Sequence, residues 1–168
     1  MKQLVLTLIG QDKPGLVDNL ATIVNENNGN WTASNLSHLA GYFAGILQLE
    51  VSEQDLPKLT QALEKMSDLE VKIQHGIEHT LNEQQHLRFV ITGNDRPGIV
   101  RELSSVIKHK GTNIIHFESS KQSAPNWGVP LFTAIATVEL PADVSRSEVV
   151  KALEAIATDI VVDIDTDF

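Results

Sequence analysis

Gly10-Gln11-Asp12-Lys13-Pro14-Gly15 returns 83 positions later as Gly93-Asn94-Asp95-Arg96-Pro97-Gly98. Each copy follows an apolar run and opens an amphipathic one, so each reads as a strand, a tight turn and the start of a helix. Proline has no N–H to lose and a φ already near the helical value, which predicts Pro14 and Pro97 in the first helical turn. Asp12 and Asp95 are expected to accept hydrogen bonds from the next free backbone amides, as helix caps do. Gly15 and Gly98 add no side chain there. The amides of Leu16 and Val17, or of Ile99 and Val100, are then open to a small anion.

Working outward, the same shift aligns Val17 with Val100, Leu20 with Leu103 and Asn30 with Asn113, and sets Ile23 and Val24 against Val106 and Ile107 without a gap. The chain is therefore two copies of one unit. In the first, Gln3 to Ile9 has the length of a buried strand, and Leu16, Val17, Leu20, Ile23 and Val24 form one helix face ended by Asn27-Asn28-Gly29. Trp31 to Leu39 and Tyr42 to Val51 predict a hairpin turning at Ala40-Gly41. Leu56, Leu59, Leu63 and Met66 predict a second helix, and Leu69 to Ile77 a last strand. The second copy repeats this order from Leu87, with a longer loop over Lys121 to Pro130. Two helices must share a core on one face of a four-stranded sheet. The expected fold is α+β, two ferredoxin-like (βαββαβ) units with antiparallel sheets, over residues 1–78 and 86–168 with a linker at 79–85.

Composition narrows the function. The chain of 168 residues is 42% hydrophobic and 21% charged, as ordinary globular proteins are. Its net charge of −9 repels phosphate backbones, so no direct nucleic-acid binding is expected. Stacking on RNA would need aromatic residues on the central strands, where the first strands offer only Phe89. No apolar run reaches membrane-spanning length, and a cytoplasmic location without membrane contact is expected. Zero cysteines exclude disulfides and thiolate chemistry. No cofactor or metal is expected. His75, His79 and His86 read as solvated linker residues, and Asp163-Ile164-Asp165-Thr166-Asp167 as a solvated strand end. Arg96 in the second loop leaves a small phosphatase as an outside alternative, although Lys13 takes its place in the first. Trp31 reads as core, and Trp127, in the longer loop, as a residue that covers a pocket or meets a partner.

Two such units, each with Asp-x-Pro-Gly-(Leu/Ile)-Val between first strand and first helix, resemble the ACT domain, a sensing module that typically binds amino acids. Filling a short chain on their own, they are most similar to the glycine cleavage system transcriptional repressor family. The resemblance implies a non-enzymatic regulator that senses a small amino acid such as glycine, acts through a partner regulatory protein and forms a homodimer. It implies a ligand carboxylate on the helix amides and an ammonium on Asp12 or Asp95. The implied binding residues are Gln11, Asp12, Pro14, Gly15, Leu16, Val17 and Asn30 in the first unit. In the second they are Asn94, Asp95, Pro97, Gly98, Ile99, Val100 and Asn113. The competing reading keeps the fold as a protein-interaction module or trans-acting regulatory subunit without a ligand, the loops being plain caps. Under the sensing reading, valine at Gly98 is expected to block the amides with little loss of fold.

Overall fold

The computed structural model describes residues 1–76, 85–123 and 128–165. The chain divides into two compact units, Met1–Thr80 and Leu81–Phe168. The first runs β1 (Lys2–Gln11), α1 (Leu16–Glu26), β2 (Asn30–Leu39), β3 (Tyr42–Val51), α2 (Leu56–Glu64) and β4 (Glu70–His75). The second runs β5 (Gln85–Asn94), α3 (Ile99–His109), β6 (Asn113–Gln122), β7 (Leu131–Leu140), α4 (Arg146–Glu154) and β8 (Val161–Ile164). Each holds a four-stranded sheet, ordered β2-β3-β1-β4 and β6-β7-β5-β8, with every pairing antiparallel. This is the ferredoxin-like βαββαβ arrangement, twice.

Period-two burial along the strands makes one face of each sheet the core face. Leu4, Leu6 and Leu8 of β1 and Leu47, Leu49 and Val51 of β3 are buried against Leu16, Leu20 and Val24 of α1 and Leu59 and Leu63 of α2. The second core repeats this with Leu87, Phe89 and Ile91 against Ile99, Leu103, Ile107, Val149 and Leu153. Phe89 has no exposed surface and offers nothing on which a base could stack. Trp31 packs against the first core as a partly buried residue. Val17 and Val100 differ from the expected helix faces. They are 45% and 43% exposed, because one step of about 100° past Leu16 or Ile99 turns them off the sheet.

Both first helices end in the same hydrogen-bonded turn. Asn28 (φ 55°) and Gly111 (φ 69°) take the left-handed conformation, and the next residue's amide reaches back to Val24 O (2.9 Å) or Ile107 O (3.3 Å). The β2–β3 hairpin turns through Ala40 (φ 51°) and Gly41 (φ 83°), the positive-φ pair of a type I′ turn. Both edge strands carry a bulge at the same repeat position, between Trp31 and Ala33 and between Ile114 and His116. In the second unit β6 runs on to Gln122 and β7 begins at Leu131, so eight residues of sequence separate these strands where two separate β2 from β3. Trp127 lies outside the described residues, as do linker residues 79–84 with His79, and Thr166 and Asp167 of the acidic end. Gln85, placed by the sequence in the linker, begins β5.

Where β1 ends, the chain passes close beneath the α2–β4 connection. A Cβ built on Gly10 would lie 2.2 Å from Asp68 O, whereas on Gly93 its nearest neighbour is the flexible Ile160 Cγ1 at 3.3 Å. Gly10→Ala should therefore lower unfolding free energy by about 1–3 kcal/mol, as overpacking does. Gly93→Ala should cost less than half as much, and urea unfolding of the two variants would contradict this if their losses were equal.

Candidate functional site

The two repeated loops take the same backbone path. Gly15 (φ 89°, ψ 1°) and Gly98 (φ 90°, ψ −3°) are themselves the N-cap residues, in the left-handed conformation. Those angles are those of the third residue of a type II turn, the position that demands glycine, and proline is favoured just before it. In the second copy the turn closes with Ile99 N donating to Arg96 O at 3.3 Å. Pro14 and Pro97 thus sit in this turn ahead of the N-cap, not in the first helical turn as expected, because the helices begin only at Leu16 and Ile99.

The expected aspartate caps are also corrected. Neither helix has a side-chain cap hydrogen bond, since the N-cap position has gone to glycine. Asp12 and Asp95 instead hold the loop to the neighbouring hairpin. Their amides donate to Gly41 O (3.0 Å) and Pro130 O (2.8 Å), the residues that precede β3 and β7. Their carboxylates meet basic side chains on the ends of β2 and β6: Asp12 Oδ2 lies 3.6 Å from His38 Nε2, and Asp95 Oδ2 lies 2.7 Å from Lys121 Nζ. The basic residue that follows each aspartate pairs the other way. Lys13 Nζ is 2.5 Å from Asp68 Oδ1, and Arg96 is 3.8 Å from Asp159 Oδ2 and 2.7 Å from Glu102 Oε2.

Asp159 also accepts the Asn94 amide at 2.8 Å, and that bond, more than the nearby Arg96, holds its carboxyl below the usual carboxylate range. Beside it lies an open hollow of about 620 Å³ bordered by Arg96, Glu102 and Asp159. With its guanidinium committed to two carboxylates, Arg96 does not present the free anion cradle that phosphatase chemistry needs.

The sequence-predicted residues divide accordingly. Gln11 to Val17 and Asn94 to Val100 come together at one end of each sheet. Leu16 and Ile99 are buried anchors, while Gly15, Val17, Gly98 and Val100 line the exposed rim. Where a Cβ would stand on Gly15 or Gly98, nothing beyond the adjoining stretch of chain lies within 4 Å. The first amides of α1 and α3 are those a helix leaves without an intrahelical acceptor, and this open space lies beside them. Asn30 and Asn113 are elsewhere. Asn30 stands in register with Glu50 and Gln3, the row at the far end of the sheet from Gln11 and Tyr42. Eight residues along a strand separate the two rows, roughly 26 Å. Asn113 likewise sits opposite Glu139, to which its amide donates at 3.4 Å. Residues not foreseen as part of the loops are His38, Lys121, Asp68, Glu102 and Asp159. The 83-residue shift that defines the repeat sets His38 on Lys121, a signal that was present in the sequence.

An ACT domain model matches residues 2–75. A UPF0237 protein of Clostridium perfringens (strain 13 / Type A) is 30% identical over 76 residues, which span 42% of this chain and 85% of that protein. The chain belongs to the ACT domain family. A UPF0237 protein of Methanopyrus kandleri is similar to the same extent, 31% identical over 80 residues, 45% of this chain and 89% of its own. Among solved structures, an unknown protein from Galdieria sulphuraria matches 98% of the ACT chain and 97% of its own at a TM-score of 0.85 and 24% identity. A protein named for a proposed role as glycine cleavage system transcriptional repressor matches 98% and 96% at a TM-score of 0.70 and 15% identity. At such identities the likeness is one of fold, and it extends over both ACT-type units. No helix among the described residues is long and apolar enough to cross a membrane.

With the cap reassigned to glycine, Asp95→Ala should cost at most about 1 kcal/mol, the range of an exposed ion pair. A loss near 2 kcal/mol in thermal or urea unfolding would restore the side-chain cap.

Proposed function

We propose that this protein is a non-enzymatic regulator in which the ACT loops sense a small amino acid, glycine or one of similar size, and transmit its presence to a partner transcription regulator, as in glycine cleavage repression. The observation that carries the reading is the pair of left-handed glycines, which put no side chain beside the first amides of α1 and α3, among which that of Ile99 is shared with Arg96 O. A carboxylate gains about 0.3–1 kcal/mol from an exposed helix N-terminus and up to ~2 when partly buried. The ammonium of the same ligand is then within reach of Asp12 or Asp95. Gln11 and Asn94 end the adjacent strands, and Val17 and Val100 supply an apolar lip. Asn30 and Asn113 lie too far away to take part.

Five heavy atoms at a ceiling of ~1.5 kcal/mol each give glycine at most about 7.5 kcal/mol, a micromolar dissociation constant at the very best. Weaker binding suits a sensor of an abundant metabolite. The regulatory partner is supported by a separate feature. The sheet face of the first unit away from its helices carries Ile9, Tyr42, Ile46 and Leu39, all substantially exposed. Those residues equally favour the second reading, an interaction module without a ligand. A homodimer in the cytoplasm is part of the first reading.

A thermal-shift screen against the twenty amino acids at up to tens of millimolar, with an inert salt as control, separates the two. A selective rise for one or two small amino acids is expected, corresponding to ~2.7 kcal/mol at a hundred times the dissociation constant. The same shift with every amino acid, or none, would leave the interaction module as the function.

A further inference from the structure

The two loops are copies, but their aspartates do not have equivalent partners. In the repeat register Asp12 corresponds to Asp95 and His38 to Lys121. Each pair joins the loop to the same end of its edge strand, since β2 closes at Leu39 and β6 at Gln122, one residue beyond His38 and Lys121 respectively. In the first unit the contact is long, 3.6 Å, to an imidazole that is charged only when protonated, and the Asp12 side chain is 42% exposed. In the second it is 2.7 Å to a lysine ammonium, and Asp95 is 24% exposed. A primary ammonium at hydrogen-bond distance from this carboxylate is the group that the α-ammonium of an amino acid would present to it.

We infer that Lys121 is a built-in competitor for the ligand's ammonium, so that an amino acid fills the first loop in preference to the second, and the residue at position 38 or 121 sets that preference. The inference rests on the proposed amino-acid site and names how its two copies are ranked. A ligand entering the second loop must displace Lys121 from Asp95, whereas at the first loop Asp12 has no permanently charged partner to give up. The penalty is bounded by the strength of an ion pair whose lysine end is solvated, a factor of about five at the upper end. The second loop also has less freedom to adjust, because Arg96 ties it to both Glu102 and Asp159 while Lys13 ties the first to Asp68 alone. The two loops are therefore graded sensors, the first responding at lower ligand concentration.

The test exchanges these two side chains in the full chain. Backbone amide resonances of residues 15–17 and 98–100 are followed by NMR while glycine is added, with alanine and serine in parallel titrations. In the unaltered protein the first set should reach half-saturation at about fivefold lower concentration than the second. Lys121→Gln should bring the second set to the concentration of the first. His38→Lys should move the first set to that of the second. Both substitutions are on exposed edge-strand positions, and unchanged resonance dispersion elsewhere reports that each variant is folded. Equal response of the two loops in the unaltered protein, or a second loop indifferent to Lys121→Gln, would overturn the inference and leave the proposed site standing. Silence of both loops in all three proteins would overturn the inference and the proposed site together.

Discussion

The loop depends on one backbone constraint, a left-handed residue immediately before a helix. An L side chain in that conformation costs roughly 1–2 kcal/mol through the clash of its Cβ with the following carbonyl, so Gly15 and Gly98 are required by geometry. The proline before each sets the first half of the turn, and together they bring the chain off the end of a central strand directly into a helix. The turn also keeps side chains out of the space beside the helix's free amides. Structure and the proposed function thus make the same demand on one residue. The expectation that valine at Gly98 would block the amides at little cost to the fold fails on this point. An added Cβ meets nothing beyond the adjoining stretch of chain, but φ is 90°, and valine is strained there.

The repeat was legible in the sequence because the two loops, the first helices and their apolar faces stay in register over more than twenty residues without a gap. Four strands and two helices per unit then followed from hydrophobic period alone. The details of the loop were less legible, for physical reasons. Aspartate and glycine both suit an N-cap, and sequence alone does not show which of them takes it. Here the turn that proline initiates delivers glycine to the cap and leaves Asp12 and Asp95 to reach sideways. Asn30 and Asn113 follow their helices closely in sequence, yet a helix returns the chain to the opposite end of the sheet. They therefore open strands that only later run back toward the loop. Asp68 and Asp159 were hidden because the repeat loses its register once residues 123–130 lengthen the second copy.

The duplicated charge pairs show what was kept after duplication and what was allowed to diverge. Both units keep an acidic residue after the second helix that holds the basic residue of the loop, and both keep a carboxylate that ties the loop to the edge hairpin. Even the anchor of the loop amide survives the longer second hairpin, with Pro130 O standing where Gly41 O stands in the first. The basic residue on the edge strand differs, histidine in the first unit and lysine in the second. Individually such exposed pairs are worth little in stability. In the proposed sensor their positions around the helix N-terminus would give them weight, since a small ligand with few atoms gains or loses its affinity in steps of the same size.

The central claim is that the amides at the starts of α1 and α3, those of Leu16, Val17 and Val100 foremost because Ile99 N already bonds Arg96 O, receive a carboxylate. The most direct measurement is a calorimetric titration comparing the amino acid that stabilises the protein with its carboxamide, which keeps the ammonium and side chain but loses the negative charge. Binding of the carboxamide weaker by about two- to fivefold is the predicted result, in line with a charge at an exposed helix terminus. A carboxamide that binds as tightly as the amino acid would contradict the account and move recognition away from these amides.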